Sequence, residues 1–217
     1  MGNFWRRHHK TPLNRRFRGF MPVVIDIETG GVDPYKNPLL EIAAVFLKLK
    51  GNGLIEKAGE FCDHIEPFEG CVIEDKALEI NHIDPGHPLR FARSEKDVMT
   101  SLFQEISKEL KNNRCKRGIL VGHNAHFDLS FINQAIKRCE LEDINPLHSF
   151  SVLDTVTLGA LSCGQTILSL ACERSGVAFD SEEAHSAIYD AHKTAELFCT
   201  VTNRWMSLGG WDETEKL

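Results

Sequence analysis

The seven residues Pro22-Val-Val-Ile-Asp-Ile-Glu28 are apolar almost throughout, yet the run closes on two acids and is stopped at once by Gly30-Gly31. A short apolar run with that punctuation reads as a central strand buried on both faces. Residues two apart on a strand share a face, so Asp26 and Glu28 point the same way at its end. Two like charges beside a core are costly unless something compensates them, and the pair therefore requires a cation. The plainer reading, solvated acids at an exposed strand end, fits poorly with the apolar flanks. Thr29-Gly30-Gly31 then makes a tight turn without side-chain bulk, which lets a ligand approach the backbone.

Downstream, residues 39–49 and 59–66 read as two further strands of an antiparallel meander, separated by the turn signal Gly51-Asn-Gly53. Ser94 caps a helical pattern to about residue 111, with Val98, Leu102, Ile106 and Leu110 at intervals of four. A short strand at 118–121 follows, then helical periodicity over 127–139, a further short strand, and helices over 155–161, 167–175 and 186–206. That order predicts an α/β protein with a mixed sheet, antiparallel meander plus parallel strands, flanked by helices; other α/β folds share the order.

The 217 residues suffice for one large core. The division expected is a basic, flexible arm over 1–14, one catalytic domain over 15–211 and a tail over 212–217. No apolar run reaches the roughly 18 residues a membrane span needs. The basic N-terminus lacks an apolar signal region, so a soluble, cytoplasmic protein is expected. Seven cysteines, an odd number without a CxxC pair, argue against a disulfide framework or a structural zinc site.

Charge is unevenly spread. Residues 1–20 carry six Lys/Arg and no acid, leaving 19 basic against 31 acidic residues in the remainder, a net of −12. An acidic body with a basic arm suits a carboxylate-built site acting on a polyanion, because something other than the site must hold the phosphates.

Two other segments could complete that site. In Val121-Gly122-His123-Asn124-Ala125-His126-Phe127-Asp128 a strand ends in a polar turn and Asp128 opens a helix. Phe127 could stack on a base or simply be core, and His123 and Asn124 read as turn and capping residues. In His185-Ser-Ala-Ile-Tyr-Asp190 a histidine precedes an acid in the first turn of a long amphipathic helix. Four acids from separated segments match what two hard cations require, with water and phosphate oxygens completing their coordination. Such ions sit about 3.5–4 Å apart and clamp the attacking and leaving oxygens of a phosphoryl displacement. The histidine would serve as general base.

At these residues the chain resembles the DEDDh exonuclease family: DIETGG at 26–31, HNxxFD at 123–128 and HxxxxD at 185–190. The resemblance implies a ribonuclease-H-like fold, two Mg2+ per subunit with Mn2+ as an alternative, and release of nucleoside 5′-monophosphates from a 3′ end. Asp26, Glu28 and Asp190 would be metal ligands, Asp128 would act through water, and His185 would be the base. Proofreading domains of DNA polymerases and oligoribonucleases share the motifs. The rest of the chain is similar to the branch of the family that trims 3′ ends of tRNA and ribosomal RNA. The similarity lies in residues 15–20, 66–70, 77–78, 83–85, Gly164-Gln-Thr166, Asn203-Arg-Trp205 and Gly209-Gly-Trp211.

That second similarity implies a homodimer in which a basic patch of one subunit holds RNA feeding the active site of the other. The matching patch is Arg16, Arg18, Lys111 and Arg117, with Phe127 and Phe150 as stacking positions. The partner implied is RNA with a single-stranded 3′ end, with single-stranded DNA as an alternative. The branch has phenylalanines where this chain has Val32 and Ile80, which predicts weaker base discrimination. Glu142 and Asp143 fall near a basic-patch position, which predicts a weaker grip there. Two non-nuclease readings compete. Asp26-Ile-Glu-Thr29 faintly echoes the nucleophile motif of haloacid-dehalogenase phosphatases, although those usually carry Asp where Glu28 stands. A non-catalytic nucleic-acid-binding dimer is the other.

Overall fold

The computed structural model describes residues 12–210; Arg6, Arg7 and Lys10 of the basic arm, Trp211 and the tail lie outside them. Five strands form one sheet in the order β3-β2-β1-β4-β5. The strands are β1 (Phe20–Thr29), β2 (Leu39–Leu49), β3 (Ile55–His64), β4 (Arg117–Gly122) and β5 (Leu147–Asp154). β1 is antiparallel to β2 and β2 to β3, whereas β4 lies parallel to β1, and β5 to β4. This is the mixed sheet that the element order predicts. Strand β1 sits at its centre because its side chains are apolar on both faces, as a doubly covered strand requires.

The pleat sends alternate β1 residues to opposite layers. Val23, Ile25 and Ile27 pack with α2 (Glu95–Asn113) and α3 (Ala125–Cys139) in the larger core. Val24 packs with α6 (Ala187–Ser207) in the smaller one. Asp26 and Glu28 continue the Val24 face, so the strand's period alone turns both acids toward α6. Two short helices, α4 (Thr155–Cys163) and α5 (Leu168–Ser175), lie against α6. Ser94 caps α2 as expected, its Oγ accepting from the Asp97 N–H at 3.2 Å.

Differences from the sequence expectation have local causes. β3 begins at Ile55, before the expected 59, because the Asn203 side chain clamps that strand end. Its Oδ1 accepts from the Ile55 N–H and its Nδ2 donates to the Ile55 carbonyl, both at 2.8 Å. That amide does for an edge strand what a neighbouring strand would, satisfying both backbone groups. A helix the periodicity does not announce, α1 (Asp75–Asn81), is only seven residues long, too short for a 3.6-residue repeat to declare itself.

Candidate active site

Glu28 faces Glu41 directly across the β1–β2 ladder. Beyond Glu28 the register shifts and the chain turns. Thr29 Oγ1 donates to the Gly31 carbonyl at 2.6 Å, and Asn81 Nδ2 reaches across from α1 to the Thr29 carbonyl at 3.1 Å. A side chain on Gly31 would overlap the Asn37 amide. That amide cannot retreat, since it accepts from the Asp33 N–H and donates to the Val72 carbonyl. The double glycine is therefore a steric requirement of the turn that carries the acids.

Asp128 enters from the end of β4. It lies in the first turn of α3, only 4% exposed. Asp190 lies in the first turn of α6. Its Oδ2 accepts from the His185 N–H at 3.0 Å, pinning a residue whose backbone is left-handed at φ 66°. Ligand atoms of Glu28, His185 and Asp190 all lie within 4.8 Å of one another. The sequence motifs thus converge: β1, α3 and α6 bring their acids to one end of the sheet, with His185 exposed at the rim.

The electrostatics of that cluster are those of buried acids that repel one another. Burial, then Asp128, Asp190, Glu28 and Glu41, raise the Asp26 carboxyl well above its usual value. Burial, then Asp190 and Glu41, push Glu28 up to about 8, while a hydrogen bond from Asn81 works the other way. Burial raises Asp128 also, and the Ile27 N–H directed at it opposes this in part. Asp190 is raised chiefly by burial, against the pull of its hydrogen bond from His185. No lysine or arginine is among the groups that set these four carboxyls. An all-oxygen set of this kind, near solvent, fits hard divalent cations.

Three contributors are not apparent from the motifs. Glu41, 7% exposed, is a fifth acid beside Glu28, and the Cys62 thiol donates to its Oε1 at 3.5 Å. Its only sequence signal is a lone acid among the apolar residues that open β2. Asn81 sits on the unannounced helix. Asp154 closes β5 and caps two helix starts, accepting from the Ala125 N–H at 3.0 Å and the Val156 N–H at 2.8 Å.

Phe127 precedes Asp128 in the first turn of α3, partly exposed, with its ring 5.0 Å from Phe131. Val32 and Ile80 are exposed on the segments flanking the double glycine. Arg18, Lys111 and Arg117 are exposed at the far end of the sheet, where Phe20 pairs with Arg117 at the start of β1 and β4. Arg18 lies 5.3 Å over the Phe20 ring, which meets His148 edge-on, and His148 in turn meets Phe150. Phe150 is 72% exposed. Glu142 and Asp143 are exposed just before β5. Arg16 departs from the expectation: it is 1% exposed, and its Nη2 donates to the Gly53 carbonyl at 2.9 Å. A guanidinium inside the fold fastens the turn between β2 and β3 and is not part of the surface patch.

Comparisons with known proteins agree with this geometry. The family model described as Exonuclease, RNase_T, matches residues 23–198. Ribonuclease T of Hahella chejuensis is 51% identical over 93% of this chain and 92% of its own. Ribonuclease T of Vibrio parahaemolyticus is 50% identical over 92% and 93%. Among solved structures, Escherichia coli exonuclease I in complex with a dT13 oligonucleotide superposes with a TM-score of 0.67 at 15% identity, covering 87% of this chain but 42% of that one. A full-length 3′-exonuclease gives 0.66 at 16%, over 88% and 84%. At such identities these structures speak for the ribonuclease-H-like fold alone. Among the described residues no single helix is long and apolar enough to cross a membrane. Half-identity over nine-tenths of both chains, with all three acidic motifs gathered at one sheet end, means that this chain belongs to the ribonuclease T family of metal-dependent 3′→5′ exoribonucleases.

Proposed function

We propose that the protein trims single-stranded 3′ ends of tRNA and other stable RNAs, cutting the last phosphodiester and releasing nucleoside 5′-monophosphates. The observation that carries this reading is the carboxylate cluster, which no lysine or arginine among the described residues is seen to neutralise. Asp26, Glu28 and Asp190, with Asp128 acting through water, would hold two Mg2+. Bound there, the cations supply a nucleophile at neutral pH and neutralise charge developing on the phosphate.

The chain's own groups do the rest. His185, at the solvent rim and tethered through its backbone to Asp190, takes the proton of the attacking water. Phe127 and Phe150 stack on bases near the 3′ end, and Arg18, Lys111 and Arg117 hold phosphates. An RNA stem with a single-stranded 3′ overhang, labelled at either end, tests the whole reading. The expected result with Mg2+ is stepwise loss of 3′ mononucleotides that stops near the stem, and none with chelator. Internal cuts, or shortening from the 5′ end, would sink it.

The position of the patch supports a homodimer. Six residue steps along β1 lead from Phe20, beside the basic corner, to Asp26, roughly 20 Å of extended strand. A corner that far from the acids is placed to serve a partner's site better than its own. Mixed subunits make this measurable. Asp128→Asn subunits combined with Arg18→Ala/Lys111→Ala/Arg117→Ala subunits should recover about a quarter of wild-type activity, because half of randomly paired dimers carry one intact site facing one intact patch. Additive, unrecovered activity would mean that each subunit works alone.

A further inference from the structure

The edge strand β5 does not run straight beside β4. From Leu147 to Val152 it takes five steps, while β4 takes two, from Gly118 to Leu120. The surplus residues stand out as a bulge, a device that re-aims side chains away from the direction the pleat would give them. Two side chains hold it. Asn133 of α3 donates from Nδ2 to the Ser149 carbonyl at 3.1 Å. His148 accepts at Nδ1 from the Ser151 N–H at 3.0 Å and, more weakly, from the Phe150 N–H at 3.3 Å.

Those contacts fix the tautomer of His148. Two N–H groups directed at Nδ1 leave that nitrogen no hydrogen, so the ring is neutral and carries its hydrogen on Nε2. Nε2 has no hydrogen-bond partner among the described residues and is not one of their buried unpaired atoms, so its N–H is open to solvent. The ring meets Phe20 edge-on at 5.3 Å and Phe150 at 4.5 Å between ring centres. Arg18 lies over Phe20, and Phe150 is exposed. A guanidinium, an oriented N–H and an open aromatic face therefore form one connected strip.

A histidine that only shaped the bulge would need only Nδ1. Here the same ring also turns a donor outward, beside an aromatic face and near a cation. A single nucleic-acid strand uses all three: its bases stack on aromatic rings, and its phosphate oxygens accept from guanidinium and imidazole N–H groups. An apolar partner covering Phe150 would leave both donors unpaired, at a cost.

We propose that His148 is a nucleic-acid-binding residue whose Nε2–H donates to a phosphate oxygen of the single strand that stacks a base on Phe150. The proposal rests on the RNA-trimming reading above and adds to its grip a contact that carries no charge.

The two faces of the ring are separable. His148→Asn keeps an acceptor where Nδ1 stands, since its Oδ1 is the same number of bonds from the backbone, and removes the donor at Nε2. The full chain, in chelator so that no strand is shortened, is titrated into a fluorescent single-stranded RNA and the anisotropy followed. His148→Asn should melt within a few degrees of wild type and bind about tenfold more weakly. Because the lost donor is neutral, the slope of log affinity against log salt should stay the same, whereas Arg18→Ala should make it shallower by roughly 0.7. Neutral methylphosphonate linkages placed one at a time then locate the contact. At one linkage the wild type should weaken about tenfold while His148→Asn stays within about twofold of its own all-phosphate value.

Wild-type affinity in a folded His148→Asn protein would overturn the proposal and leave the ring with the bulge alone. So would a shallower salt slope in that variant, or methylphosphonate effects that match in both proteins at every linkage. Altered sedimentation with RNA affinity intact would make the strip a contact between two copies of the chain, and the proposal would fall. The wild type gives a check that no folding defect can blur: with isotope-labelled histidine, the Nε2 resonance of a ring with a bare Nδ1 should shift on adding the RNA, and no shift would overturn the proposal. A chain that binds RNA yet releases no mononucleotide with Mg2+ overturns the nuclease reading alone, and the His148 comparisons are judged as before.

Discussion

Replacing Asp128 with Asn should lower RNA turnover by at least about a thousand-fold while leaving the fold standing. The two effects separate because the carboxyl has opposite values for folding and for chemistry. For folding, Asp128 is a buried acid whose burial favours its neutral form. An amide of the same shape replaces that neutral acid with little loss, and the Ile27 N–H still finds an acceptor oxygen. For chemistry, the site must present negative oxygens to divalent cations, and an amide oxygen carries no charge. Thermal melting within a few degrees of wild type, beside a rate near background, is the expected pair of measurements. A variant as fast as wild type would remove Asp128 from the mechanism.

Metal-free protein should lose stability as pH rises through neutrality, and divalent cations should restore it. The sign follows from the direction of the shifts. Glu28 is pushed from 4.5 to about 8, and Asp26, Asp128 and Asp190 are raised as well. A carboxyl with a raised folded-state value binds its proton more tightly in the native protein than in the unfolded chain. Its contribution is therefore fully present below about pH 4.5 and is lost as pH climbs through about 8. For Glu28, part-exposed, the loss is on the order of a few kcal/mol after allowance for solvent screening.

The measurement is the melting temperature in chelator between pH 6 and 9, repeated with Mg2+. The chelated protein should fall by several degrees or more, with the rise on adding Mg2+ largest at the alkaline end. Glu28→Gln should flatten the chelated curve. A metal-free melting temperature that holds steady or climbs over that range would mean the carboxyls are neutralised by something other than cations.

The two expectations draw on information of different kinds. Asp26 and Glu28 were legible because a strand has a period of two, and two acids at the end of an apolar run have no structural use. Asp128 and Asp190 were legible only as parts of motifs, since an acid in a first helical turn is ordinarily a favourable partner for the helix dipole. Arg16 shows the limit from the other side. The resemblance to the trimming branch implies a place for it on the surface patch, whereas the fold buries it against the Gly53 carbonyl. Nothing in a linear charge pattern tells an arginine that grips a ligand from one that fastens a turn.

The sequence by itself determined the strand that carries the first acids, the order of elements, the three motifs and hence the family, because each is written in local spacing. Only the tertiary structure decided which acids meet at one end of the sheet, that Glu41 joins them, that Asn81 and Asp154 brace the turns, and that the basic corner stands a strand's length from the acids. Those are through-space relations between segments as many as 164 residues apart in the chain, from Asp26 to Asp190. Their physical origin is sheet register and helix packing, which set distances that no local pattern encodes.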